Sequence, residues 1–172
     1  MTATTKINLQ DLYEIDDYLW IQETVKLLKE KQFNELDLEN LIEELEDLGN
    51  EKKHRIESLL EQIIRHLLLL EYWHSEYERN ANHWESEIIS FRIQLRRYLT
   101  TNLYKHLNNE ILNLYQDALK FVKRKSKLDN LPSECPYNLE QILNDALLLL
   151  SLWQKNTSWS GRNIPSYEKS CC

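Results

Sequence analysis

Residues 56–70 read IESLLEQIIRHLLLL, and this stretch decides the fold. Its apolar residues recur at intervals of three and four, which is the period of a helix rather than of a strand. The run 67–70 is apolar on every side of such a helix, so neighbouring elements must surround the middle of it. We therefore predict one long central helix over about residues 52–77.

The composition also favours helices throughout the chain. The 172 residues include only two Gly and three Pro, and 32 Leu against few Val. Leu favours helices and Val favours strands, and few Gly and Pro argue against turn-rich β folds. We predict an all-α, single-domain bundle of about six helices. The predicted helices cover residues 9–31, 37–48, 52–77, 84–99, 102–127 and 138–155.

Local signals set several of these boundaries. Asp37 is a good N-cap for the second helix, and Gly49 stands where a C′ glycine would end it. The polar residues 79–83 are predicted to form a loop. Asn138 and Gln141 have the spacing of a capping box at the start of the sixth helix. The helical domain is expected over residues 1–155, followed by a polar, loosely ordered tail over residues 156–172.

Charge is distributed unevenly along the chain. The net charge is −7, but residues 1–51 carry −10 and residues 85–130 carry +4. An acidic protein is a poor candidate for non-specific nucleic-acid binding, which needs clustered cations. One basic run interrupts this pattern: Lys120, Lys123, Arg124, Lys125 and Lys127. We interpret the run as a solvated helix end, with contact to an acidic partner or to nucleic acid as the alternative.

Cysteine usage and hydropathy indicate a cytoplasmic protein. The three cysteines are Cys135, Cys171 and Cys172, and an odd count with two at the terminus is not a disulfide framework. We expect no signal peptide and no membrane span. Cys135 is interpreted as a packed loop thiol rather than a nucleophile, and the role of the terminal pair stays open.

One arginine falls inside an apolar helical stripe. Arg92 lies within about 60° of Ile88 and Leu95 on a helical projection, so it is predicted to be buried. A buried guanidinium keeps its proton and needs a carboxylate partner. Glu44, at the inner edge of the second helix, is the predicted partner, and Glu85 is its rival.

The same projection gathers a candidate polar cluster. Asn40 lies one turn before Glu44, and His66 lies at the edge of the apolar side of the long helix. The four candidates are Asn40, Glu44, His66 and Arg92. They are interpreted as a satisfied polar network that fixes helix register, or alternatively as a site for acid–base chemistry or a small ligand. No residue is assigned as catalytic.

Two short strings match the ligand spacing of helical metal sites. They are Glu51-x-x-His54 and Glu71-x-x-His74, which both fall on the predicted long helix. Dinuclear carboxylate sites in bundles need such strings on two helices, together with inward carboxylates from two more. We therefore predict neither a bound metal nor a cofactor.

The chain resembles a bacterial family, mainly cyanobacterial, known as domain of unknown function family twenty-nine. The most specific element is Asn-x-x-Glu-Glu-x-Glu at residues 40–46, within DLENLIEELEDLG at 37–49. Further matches, in chain order, are YEIDDYLW at 13–20, His66-Leu67-Leu68, His83-Trp84, Phe91-Arg92 and Cys135-Pro136-Tyr137. The resemblance covers about residues 13–150. It implies an all-helical domain in a bacterial cytoplasm and supplies no catalytic residues.

Three functions remain open from the sequence. The first is a non-enzymatic interaction or regulatory module that binds a protein partner or a second copy. The second is an enzyme or small-ligand-binding protein that uses the four-residue polar cluster. The third is a nucleic-acid-linked accessory protein that uses the basic run at residues 120–127. No membrane partner is expected.

Overall fold

The computed structural model describes residues 8–145, which form α-helices and two short 3-10 turns and contain no strand. The helices are α1 Leu9–Ile15, α2 Asp17–Lys29, α3 Leu38–Tyr72, α4 Tyr77–Tyr98, α5 Thr101–Ser126 and α6 Leu139–Leu143. The all-α fold with one long helix is confirmed. The chain divides into two compact units, an N-terminal unit up to Lys52 and a C-terminal unit from Lys53 onward.

The predicted first helix is two helices. The backbone leaves helical geometry at Asp16, where φ is −153° and ψ is 89°. The Asp16 side chain accepts a hydrogen bond from the Leu19 N–H at 2.9 Å and so caps the start of α2. An aspartate supplies this cap well, which explains why the chain breaks here although the apolar period continues.

Trp20 is the buried centre of the N-terminal unit. Its side chain is 2% exposed, and its indole N–H donates to Asp37 Oδ2 at 3.3 Å. The Tyr13 ring meets it edge to face, with centroids 5.0 Å apart. Asp37 also accepts from the Asn40 main-chain N–H, which confirms it as the N-cap of α3.

We expect Trp20→Ala to destabilise the N-terminal unit by roughly 3–5 kcal/mol, because it empties a buried aromatic site. Hydrogen exchange of the α2 amides measures the loss directly. Ile21→Ala is the matched control, since that neighbouring side chain is exposed. A loss below about 1 kcal/mol for Trp20→Ala would mean that α1 and α2 form a detachable arm.

The prediction that Gly49 ends a helix is wrong. α3 continues through Gly49 to Tyr72, and no glycine in residues 8–145 has the positive φ of a helix-ending C′ position. A glycine inside a helix costs only about 1 kcal/mol, so continuous helical residues on both sides override it. The second and third predicted helices are therefore one element.

Gly49→Ala should stabilise the protein by about 0.5–1 kcal/mol, because alanine favours the helix and the added Cβ meets no atom within 4 Å. Chemical denaturation or hydrogen exchange around residues 45–53 measures this gain. A destabilisation of similar size would show instead that Gly49 adopts the left-handed conformation of a helix end.

The C-terminal unit is built around the second half of α3. Eight residues between Ile56 and Leu70 are buried, including the whole run Leu67–Leu70. Residues of α4, α5, the following loop and α6 belong to the same core. The core members from these elements are Ala81, Trp84, Ile88, Leu95, Leu107, Tyr115, Ala118, Leu119, Val122, Leu131, Leu139 and Ile142.

The predicted loop at residues 79–83 is wrong, because α4 begins at Tyr77. The connection is instead the short turn after Tyr72, where Trp73 stacks on Trp84 with ring centroids 6.0 Å apart. Ala81 and Trp84 are buried at helical spacing, while the polar residues between them point outward. Local polarity therefore marks an outer helical surface rather than a break.

Tyrosine hydroxyls fix the segment between α5 and α6. Tyr115 donates to Pro132 O at 2.6 Å, and Tyr137 donates to a Glu71 carboxylate oxygen at 2.7 Å. The capping box of Asn138 and Gln141 is confirmed at the start of α6. The predicted end of this helix near residue 155 and the tail 156–172 lie outside the described residues.

Candidate functional site

An apolar surface is left open on the first turns of α3. Leu38, Ile42, Leu45 and Leu48 are 48–60% exposed. These four residues, here called the α3 stripe, recur at helical spacing and share one side of the helix. A continuous row of half-exposed aliphatic side chains is typical of a surface that contacts another molecule.

Polar residues at one edge of the α3 stripe connect α3 to α1 and to its own N-cap. Tyr13 donates to Glu44 Oε1 at 2.9 Å, and Asn40 Nδ2 donates to Asp37 Oδ2 at 2.6 Å. The hydrogen bond to the Glu44 carboxylate is the main reason that the pKa of Tyr13 rises to about 12. Glu44 therefore holds α1 through Tyr13, and Asn40 holds Asp37, which also accepts from Trp20 of α2.

Acidic residues surround the α3 stripe. Residues 38–51 contain six Asp or Glu and no Lys or Arg. Two copies of this segment would repel each other, and an anionic membrane or nucleic acid would be repelled as well. The surface is therefore suited to a cationic partner that also carries apolar side chains.

α2 exposes a second apolar row. Tyr18, Ile21, Val25 and Leu28 are exposed, and their spacing of three, four and three residues places them roughly opposite buried Trp20. The sequence shows these residues plainly, but helical periodicity alone does not distinguish an outward apolar row from an inward one.

His66, a predicted cluster member, is partly buried in the C-terminal unit. Its Nδ1–H donates to the Gln62 main-chain oxygen at 2.7 Å, so its described partner is a carbonyl and not a carboxylate. The imidazole lies 5.6 Å from the Phe91 ring and 6.4 Å from the His83 ring, measured between centroids. Burial is the main cause that lowers the pKa of His66, opposed by the bond to Gln62.

This lowered pKa makes stability depend on pH with a definite sign. The folded protein favours neutral His66, whereas the unfolded chain takes up a proton near the ordinary pKa of 6.5. The contribution to stability is complete above pH 6.5 and is lost as the pH falls through 6.5 toward the folded-state pKa. Glu87 opposes the shift, while Lys125 and His83 add to it.

We therefore expect His66→Gln to flatten the fall in unfolding free energy below pH 6.5, measured by denaturation at a series of pH values. His74→Gln, at an exposed histidine, is the matched control for the substitution itself. An unchanged slope in His66→Gln would contradict this assignment.

Arg92 is fully buried, as its helical phase predicts. Nε donates to Ile142 O at 2.7 Å, and Nη1 lies 3.8 Å from Asp145 Oδ1. Burial lowers its pKa to about 10, so the guanidinium stays charged at neutral pH. The structure thus supplies Asp145 as its carboxylate, while Glu44 receives its bond from Tyr13.

The four candidate residues fall in both units, Asn40 and Glu44 in the N-terminal unit and His66 and Arg92 in the C-terminal unit. Each has partners within its own unit, as given above. The joint acid–base or ligand site of these four residues stays a prediction. The structure adds a contact that spacing does not reveal: His106 of α5 bonds to the Glu57 carboxylate, which His54 of the same helix as Glu57 also contacts.

The basic run and Cys135 have the contacts typical of a helix end and of a packed loop thiol. Lys123, Arg124 and Lys125 occupy the last turn of α5, where cations favour the helix dipole, and Lys120 pairs with Asp117 at 2.8 Å. The partly buried Cys135 thiol donates to Tyr137 O, and burial raises its pKa. Cys171 and Cys172 lie outside the described residues.

Neither a metal cluster nor a membrane helix is found between residues 8 and 145. No three His, Cys, Asp or Glu side chains in that range converge as metal ligands. No helix there combines the length and the hydropathy needed to cross a bilayer.

The fold and these surfaces define an all-helical protein. The chain belongs to the family described as domain of unknown function DUF29, whose model matches residues 12–148. Its fold is similar to that of an alpha-helical protein of unknown function from Rhodospirillum rubrum, with a TM-score of 0.59 and 19% identity. That match covers 83% of this chain and 96% of the other, and at this identity it shows the fold alone. No curated protein matches the sequence.

Proposed function

We propose that this protein is a non-enzymatic interaction module that binds a basic, amphipathic helix of a partner protein on the α3 stripe. The observation that carries the proposal is an exposed aliphatic row within a segment of six acids and no bases. Recognition of an amphipathic helix by such a row would use apolar anchors at helical spacing.

Charge selects the kind of partner. Basic residues beside the apolar anchors of the partner would pair with the acidic flanks of α3, increasing the association rate and excluding acidic competitors. The same charge disfavours self-association through this segment, the other form of the interaction hypothesis. The nucleic-acid alternative rests on the basic run at residues 120–127, and the cytoplasmic location stays a prediction.

The first test uses three synthetic peptides of equal length. One is a Lys/Leu peptide with helical amphipathic spacing, one has the same composition in scrambled order, and one replaces every Lys with Glu. We expect only the first to shift the amide resonances of residues 38–48 in the full chain, with a Kd on the order of 0.1 mM. Equal binding of the scrambled peptide would show that charge alone drives the binding and would contradict the proposal.

Matched variants test the apolar contribution. Ile42→Ser combined with Leu45→Ser should weaken binding of the Lys/Leu peptide at least tenfold with little loss of stability, since both side chains are already exposed. Leu112→Ser on α5 removes an equally exposed leucine and should change nothing. If the protein forms a concentration-dependent dimer and the double variant abolishes it, the α3 stripe binds a second copy of the chain instead.

A further inference from the structure

The guanidinium of Arg92 has donors that the described protein does not use. Its Nε–H is satisfied by Ile142 O, but neither Nη1 nor Nη2 has a hydrogen-bond partner among the described residues, and both are buried. Each terminal nitrogen carries two N–H groups. A charged group left this incompletely bonded in a core is costly unless an anion compensates it.

Asp145 compensates Arg92 only in part. Its Oδ1 lies 2.9 Å from Nη2 of Arg96 and 3.8 Å from Nη1 of Arg92. Both contacts are ion pairs, and the second is too long for a hydrogen bond. The Asp145 side chain is 62% exposed, so its carboxylate can move into solvent with a small loss of free energy.

A cleft opens beside Arg96 and Asp145, and Arg92, which is not part of its lining, would be reached in place of Asp145. It has a volume of about 400 Å³, which is the size of a small-molecule site. Its lining consists of Arg96, Tyr104, Glu140, Leu143, Asn144 and Asp145. Arg96 is held there because its Nη2 also donates to Leu143 O at 2.7 Å.

We propose that Arg92 and Arg96 form a receptor for a small organic carboxylate, which enters the cleft and displaces Asp145. A carboxylate is planar and accepts two parallel N–H bonds from a guanidinium, which the free donors of Arg92 provide. Glu140 on the same lining disfavours a doubly charged anion such as phosphate. In the free protein Asp145 occupies this receptor, and a bound carboxylate replaces its side chain with a group of the same charge.

This site is independent of the α3 stripe, because all its residues belong to the C-terminal unit. The protein would therefore bind a small molecule at a site separate from its partner-binding surface.

The test is a titration of the full chain with sodium propionate, followed at the Arg92 Nε–H resonance. Sodium chloride at equal ionic strength and sodium phosphate serve as comparison anions. We expect saturable binding of propionate that chloride does not reproduce and that phosphate matches only more weakly.

Three variants separate a receptor from a structural ion pair. Asp145→Asn removes the internal competitor and should tighten propionate binding at least threefold. Arg96→Gln should weaken it at least fivefold, whereas Arg97→Gln, an exposed arginine on the same helix, should have no effect. Arg96 and Asp145 are used because both are largely exposed, so these variants can fold even where a change at Arg92 does not.

Several results would overturn the proposal. A shift produced equally by chloride would mean that ionic strength alone acts on Arg92. Phosphate binding tighter than propionate binding would contradict the carboxylate class. Unchanged propionate affinity in Asp145→Asn would show that Asp145 does not occupy the receptor.

Discussion

The need to bury the run Leu67–Leu70 of α3 on all sides is the constraint on which the C-terminal unit depends. No single neighbour can cover a helix that is apolar all round, so α4, α5 and the loop before α6 all contribute to one core. The stacked rings of Trp73 and Trp84 hold the turn that brings the chain back from α3 into α4. Arg92 is buried in this core because it lies on α4 among buried aliphatic residues. Its buried positive charge then requires an anion as a partner.

α3 presents two different surfaces along one continuous helix. Eight apolar side chains of its second half are buried, whereas its first turns carry an exposed aliphatic row flanked by acids. Hydrophobicity alone does not explain this difference, because both halves show helical apolar spacing. In the first half, the contacts to α1 and to the N-cap are polar, since Tyr13 and Asp37 bond to Glu44 and Asn40. The α3 stripe beside these bonds stays 48–60% exposed.

The sequence predicted features that depend on short-range chemistry. The N-cap Asp37, the capping box at Asn138 and the burial of Arg92 follow from side-chain chemistry or helical phase, which neighbouring residues determine. The predictions at Gly49 and residues 79–83 are wrong for two reasons: a helical glycine costs only about 1 kcal/mol, and the polar residues lie on the outer surface of α4.

The sites were less predictable than the helices. Asp145 is distant in sequence from Arg92, and nothing near either residue marks the pair. The exposure of the α3 stripe was equally unpredictable from the sequence, because periodicity predicts which residues share a side of a helix but not whether that side is covered.

The central claim is that one continuous helix carries an enclosed half and an accessible apolar half. Thiol labelling tests this directly in a background where the three native cysteines are replaced by serine. A cysteine introduced by Ile42→Cys should react at nearly the rate of an unfolded peptide, whereas one introduced by Leu60→Cys should react only through unfolding. Equal protection at both positions would show that the α3 stripe is covered within the folded chain and would contradict the account.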